Sequence, residues 1–436
     1  MIFILMWVLL SAAPLSAEIS QIFCDEGLYV LAGDISADDF ENGSGLITVS
    51  GTDITIDLDG HTIRDGATHH NAVHGIICSS GSDTVTIRNG TIRDISGYGI
   101  LIHSGVRCIT LENIRFSDCG MGAIATTNSE APINSLVIKN CDFTTSSTAV
   151  PESIIALSNC NTSVIVDCTI HTIESEESDL TAIRIDHCAR TLIKHNTIRG
   201  IKGHQCTGIA ITESVGTTIE SCSCYNFITT STCIGIAVHH SPNSSLRETT
   251  LYDIIVSGSG AEAIGFLCTQ SDGCSYMNSI VRSLESQGAQ STAYGFRVFN
   301  SNRIMMRGCT ISRIKTTTSG SDAYGISWVT VSLSSLIDSI IDDTQAAGQG
   351  FGMLALNVSE SEFNGNQFLN TAGGTIRRGL RIVNGFRNLF TRNIAFRNGT
   401  NATEQIEGLA SGTTDFNTAT GNISTIGSPW TNIRAF

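Results

Sequence analysis

The residues best placed for chemistry form two neighbouring columns of ionisable side chains. The segments "TAIRIDHCAR" (181–190), "TGIAITES" (207–214) and "IGIAVHHS" (234–241) share a frame, a small residue followed by apolar-x-apolar. Counted from that small residue (Ala182, Gly208, Gly235), the fourth position carries Asp186, Thr212 and His239, and the fifth carries His187, Glu213 and His240. If the segments stack in register at about 4.8 Å per step, Glu213 falls between two imidazoles. A carboxylate so flanked suits general acid or base work, or a borderline divalent cation. The catalytic candidates are therefore Asp186, Glu213, His187 and His240, with Arg184 and His239 as ligand-binding neighbours. No resident metal or other cofactor is assigned, and a divalent cation is the one group this set suits. The competing expectation is a solvated turn, because the fifth position elsewhere holds Ser104, Asn300 and Asn384.

A second set is cationic. Phe363 to Thr403 contains no Asp or Glu, while Arg377, Arg378, Arg381, Arg387, Arg392 and Arg397 crowd in. Arg378 and Arg381 are the candidates for docking an anionic polysaccharide through bidentate contacts, unless the arginines scatter over several faces. The acidic run at 174–179 lacks the Gly-centred spacing of a calcium loop and reads as solvated. His69, His70 and His74 have no nearby Cys ligands and are expected at the surface.

What positions these residues is a repeat. Thr62-Ile63-Arg64-Asp65 recurs as Thr91-Ile92-Arg93-Asp94, 29 residues on. An opening pattern, apolar-x-Asn-x-x-apolar, ends at Ile63, Ile92, Phe116, Phe143, Ile170, Ile198, Cys224, Leu251, Val281, Ile311, Ile341, Phe368, Phe396 and Ile423. Each unit also carries the Gly-apolar-x-apolar strand, as in "YGILIHS" (98–104) and "YGFRVFNS" (294–301). Units of 24 to 30 residues rich in Ile, Thr, Ser, Gly and Asn cannot bury an apolar face alone, but stacked copies share one core. The fold class is all-β, a right-handed parallel β-helix solenoid of about fourteen coils, right-handed by the crossover rule. Ile76, Ile100, Ile183, Ile209, Ile236, Phe296 and Ile326 should form one interior column, and Asn89, Asn113 and Asn140 a ladder at the turns.

The N-terminus reads as a signal peptide over 1–17, with small residues before the cut at Ala17. An N-terminal cap over 18–44 (Ile22–Ile35 closing the first coil), the β-helix over 45–427 and a C-terminal cap over 428–436 follow. The protein is expected to be secreted or at the cell surface, periplasmic or outer-membrane in a bacterium. No transmembrane span is expected after cleavage. A net charge of −15 argues against nucleic acid as the partner. Fifteen cysteines include matched pairs (Cys141 with Cys168, Cys160 with Cys188, Cys206 with Cys233) that read as reduced core stacks rather than disulfides.

"ITIDLDGHTIRDG" followed by "VTIRNGTIRDISGYGI" resembles the opening coils of right-handed parallel β-helix repeat proteins with the pectin-lyase-like fold, over about residues 45–425. That resemblance implies lyases, hydrolases, epimerases, adhesins or spacers. Polygalacturonase-type hydrolysis would need paired Asp, G-H-G and R-I-K. The nearest matches, Gly203-His204-Gln205 and Arg313-Ile314-Lys315, lie four coils apart with no Asp pair between them. The epimerase stretch Y-G-F-D-P-H survives only as Tyr294-Gly295-Phe296-Arg297-Val298-Phe299, with Tyr294 expected in a turn. Outer-face aromatic platforms for sugars are expected to be scarce, since Trp328 points inward by register. The expected function is an exported, non-catalytic protein that binds a polysaccharide or cell-surface glycan, or serves as surface structure. A polysaccharide-active lyase, glycoside hydrolase or epimerase is the alternative.

Overall fold

The computed structural model describes residues 22–37, 44–65, 72–128, 131–145, 152–174 and 179–396, residue 398, and strand fragments at 406–407, 418–420 and 423–424. The expected signal peptide, 1–17, and the expected C-terminal cap, 428–436, lie outside the described residues. Every described element is a β-strand, in about 13 coils against the fourteen expected. The chain divides into two compact units, Met1–Ile198 and Arg199–Phe436.

In the first unit, Ile47, Ile76, Ile100, Ile124, Ile155 and Ile183 pair coil to coil and are all buried. In the second, Ile209, Ile236, Phe266, Phe296, Ile326, Met353 and Leu380 do the same. All seven residues expected in the interior column are there. The glycine before this column is set by close approach: a Cβ on Gly325 would lie 2.5 Å from the Gly352 carbonyl oxygen and 2.3 Å from Ile341 Cγ2. Within the expected cap Ile22–Ile35, the strand Ile22–Val30 pairs in parallel with Gly45–Asp57. Asn113 Nδ2 donates to Asn89 Oδ1 at 3.2 Å, and both, like Asn140, are in the left-handed region.

The opening-pattern markers pair as expected from Ile63 to Ile170 and from Cys224 to Phe368. The last two are corrected by one residue: Phe368 pairs with Ala395, not Phe396, and Ala395 with Ser424, not Ile423. The true frame is marked two residues earlier, by a column of small polar or thiol side chains turned inward.

In the second unit that column holds Cys222, Thr249, Ser279, Cys309, Ser339, Asn366 and Asn393, all buried. The Thr249, Ser279 and Ser339 hydroxyls donate to the carbonyl two residues back at 3.0, 3.1 and 3.0 Å, and the Cys222 and Cys309 thiols reach the same carbonyl at 3.4 and 3.7 Å. The N–H groups of Ser339 and Asn366 donate to the side-chain oxygen of the next rung, each at 3.0 Å. Buried backbone groups at a turn need partners, and these rungs supply them. Cys141 and Cys168 occupy the same place in the first unit, with thiol–carbonyl distances of 3.4 and 3.3 Å.

Every cysteine is a thiol, and only Cys108 is exposed. Burial pushes the Cys24 and Cys78 thiols up to about 12 and Cys309 to about 11. Since the thiolate is the reactive form, a thiol reagent should modify about one cysteine of the folded protein and all fifteen after denaturation. Rapid native modification of several would show that the rungs are open.

Candidate functional site

The expected patch divides between the units, so each half stands by itself. In the first, Arg184 and His187 are exposed and Asp186 is half-buried, with His187 Nδ1 3.1 Å from Asp186 Oδ1. In the second, the rings of His239 and His240 meet edge-on at 4.0 Å, and His239 Nδ1 lies 2.5 Å from the Thr269 hydroxyl. Burial lowers the His239 pKa, His240 lowers it further, and Glu213 opposes both. Glu213 and His240 are exposed. Among the described residues, no three His, Cys, Asp or Glu are grouped to hold a metal ion.

His187, Glu213 and His240 have φ of 51°, 47° and 46°, as Asn300 and Asn384 have 48° and 54°. The column therefore has a backbone role that the sequence reading did not give it. It is a left-handed turn, a conformation that Asn and His tolerate better than most residues. His74 is corrected too: it is buried, not at the surface, while His69 and His70 lie outside the described residues.

The arginines separate. Arg377, Arg378 and Arg381 share the strand Ile376–Val383. Arg387 instead pairs with Glu360 at 3.6 Å, and Arg392 donates to Asn364 Oδ1 at 3.1 and 2.9 Å. Arg381 lies over the Phe351 ring, 5.9 Å from its centroid, and Phe351 is the cross-strand neighbour of Arg378.

A different site is built on the outer face of the strands Thr250–Val256, Ile280–Ser286, Thr310–Thr316 and Ile340–Ala346. Their register aligns Ile255, Glu285, Lys315 and Gln345 in one outward column. Beside it, within the same strands, Asp253, Ser283, Arg313 and Asp343 adopt the left-handed conformation with φ of 54° to 56°. Together they line an open groove of about 390 Å³. Arg313 and Lys315 are two residues apart and both exposed, and neither is in an ion pair among the described residues. Asp253, Glu285 and Asp343 place carboxylates around them. Outside the groove lining, Tyr225 and Tyr252 stack at 4.6 Å, and the Arg282 guanidinium lies 4.8 Å from the Tyr252 centroid.

Sequence reasoning met Arg313 and Lys315 only as an isolated R-I-K match and missed the groove around them, because it counted from the glycine of the second strand. Counted from the opening-pattern residues Leu251, Val281, Ile311 and Ile341, the second and fourth positions give both columns. One further expectation falls: Tyr294 is not in a turn but in the strand Thr292–Asn302, stacked on Tyr324 at 5.0 Å. Trp328 is fully buried, as its register implied, and the aromatic rings outside the core stack on one another with arginines over Tyr252 and Tyr294.

A family model described as a right-handed beta helix region matches residues 74–222. The chain is a right-handed parallel β-helix protein. This is the architecture its opening coils resemble. No curated protein matches the sequence of this β-helix. Among solved structures it is similar to the A-module of the Azotobacter vinelandii mannuronan C-5 epimerase AlgE6, with TM-score 0.44 and 11% identity over 94% of this chain and 91% of that one. It is also similar to the periplasmic alginate epimerase AlgG (TM-score 0.42, 10% identity, 87% and 77% covered). A third is the tailspike protein of Escherichia coli bacteriophage HK620 in complex with a pentasaccharide (0.43, 11%, 87% and 73%).

Proposed function

We propose that this β-helix is an exported, non-catalytic glycan-binding protein that seats an acidic saccharide in the groove around Arg313 and Lys315. The observation that carries the reading is two adjacent exposed cations, without ion-pair partners among the described residues, set among three carboxylates in an open groove. A guanidinium beside an ammonium holds a sugar carboxylate through charge-assisted bonds. Asp253, Glu285 and Asp343 are acceptors for sugar hydroxyls. The groove volume lies in the range of ligand pockets. Tyr225 and Tyr252 face each other and Arg282 covers Tyr252, so that ring offers no open face to a sugar.

The same carboxylates favour the second reading, a polysaccharide-active enzyme, because Asp253 and Glu285 stand on adjacent coils beside two cationic side chains. A panel of neutral and uronate-containing polysaccharides, scored for binding and for new reducing or unsaturated ends, separates the two. Binding without new ends supports the first, and new ends lost in Glu285→Gln support the second. Arg313→Ala with Lys315→Ala should weaken uronate binding by about 10- to 100-fold. Equal binding by wild type and double variant removes the groove from the function.

A further inference from the structure

The charges in the groove are ordered by coil, and that order limits which acidic saccharide fits. Four strands floor the groove, and each contributes two or three residues to its lining. Three coil steps make it about 14 Å long across the strands, against about 7 Å along them, so a chain of sugars runs across the coils. Both lining cations stand on one coil, Arg313 and Lys315 on the strand Thr310–Thr316. The coils on either side line the groove with the opposite sign. Glu285 is the cross-strand neighbour of Lys315, and Asp343 follows Arg313 in the left-handed column. Asp253 stands two coils before Arg313. Arg282 is the one further cation on these four strands, and it lies over Tyr252, outside the lining.

We infer that the groove takes a polysaccharide whose carboxylates come singly between neutral sugars, and discriminates against a homopolymer of uronates. This rests on the reading of the groove as a saccharide site. One sugar carboxylate seats on Arg313 and Lys315 through charge-assisted bonds. A sugar unit is close to one coil step in length, so the sugars on either side lie over Glu285 and Asp343, about 4.8 Å away. Each of these carboxylates already accepts one carboxamide N–H, Glu285 from Gln287 at 3.2 Å and Asp343 from Gln345 at 2.5 Å. An ionised carboxylate only accepts hydrogen bonds, so a sugar hydroxyl satisfies its remaining oxygen and a second sugar carboxylate leaves both groups without a donor. The two anions also repel, and the repulsion grows as the sugar displaces water. A homopolymer thus gains one matched carboxylate and sets its neighbours against acids.

Calorimetric binding of matched tetrasaccharides to the full chain is the test, run in EDTA so that no divalent cation bridges carboxylates. The probes are tetragalacturonate and the same tetramer with every carboxylate but one internal one methyl-esterified, and the corresponding pair of tetramannuronates. In the pair that binds, the singly charged tetramer should bind at least about 10-fold tighter than the fully charged one. Glu285→Gln and Asp343→Asn, made separately, should each narrow that ratio by about threefold or more, because a carboxamide donates where a carboxylate only accepts. Asparagine tolerates the left-handed conformation of position 343 as aspartate does, so the backbone there is kept. A fully charged tetramer that binds as tightly as its partner, or a ratio that neither variant moves, overturns this inference and leaves the groove as a saccharide site. If no member of either pair binds, the reading of the groove falls, and this inference falls with it.

Discussion

Trp328→Ala is expected to cost about 3–5 kcal/mol, and Trp328→Phe less than about 1.5 kcal/mol. The indole is fully buried, leans on Phe363 at 5.6 Å, and fits because its neighbours in the interior column are Val298 and Ala355. Truncation to alanine leaves a cavity that the coils on either side cannot close without shifting backbone. The ring nitrogen has no hydrogen-bond partner among the described residues, so phenylalanine loses volume but also removes a buried unpaired donor. In a solenoid such a loss is local, because stability is close to a sum of coil and interface contributions. Hydrogen exchange should therefore show protection falling in Thr292–Asn302, Asp322–Ser332 and Gln349–Ser359 before strands several coils away. Unchanged protection there in Trp328→Ala, or equal costs for both variants, would contradict this packing.

Why the fold was legible and the site was not has one physical cause. A parallel coil places residues of equal rank at about 4.8 Å, so any side chain that must point inward repeats visibly. The Ile76 and Ile209 columns repeat for that reason, and every coil needs them. Frame marking failed at Phe396 because the reading followed the largest apolar residue. The inward side chain there is the small Ala395, and the stronger constraint is the hydrogen-bonded rung Asn393 two residues before it. Cysteine counting was ambiguous for a related reason, since thiol and hydroxyl reach the carbonyl two residues back while the Asn366 and Asn393 carboxamides in the same column donate to a carbonyl of the preceding coil. Outward residues carry no such requirement. Arg313 and Asp253 recur in no motif, and only the correct origin for counting brings them together. The His187, Glu213 and His240 column drew attention because its residues are ionisable, but their shared feature is a backbone dihedral that composition alone does not reveal.

Acid should destabilise the first unit through His74. Its Nδ1 accepts the Tyr98 N–H at 2.9 Å and its ring stacks on Tyr98 at 5.6 Å, so the fold holds the neutral imidazole. Burial, with a smaller contribution from His103, depresses its pKa to about 4. The unfolded chain takes up this proton near the ordinary histidine value of about 6.5, so it binds more protons than the folded chain between those two values. The stability contributed by neutral His74 is thus fully present above about pH 6.5 and lost progressively as pH falls through about 4, by at most about 3 kcal/mol. Other groups titrate over this range, so the contrast must be made against a variant. In His74→Asn the side-chain oxygen replaces Nδ1 as acceptor and nothing titrates. Between pH 7 and pH 5 the wild type should lose about 2 kcal/mol more than His74→Asn in urea unfolding. Equal losses, or an NMR titration placing His74 near the ordinary histidine value, would mean that the imidazole takes its proton without giving up the Tyr98 bond.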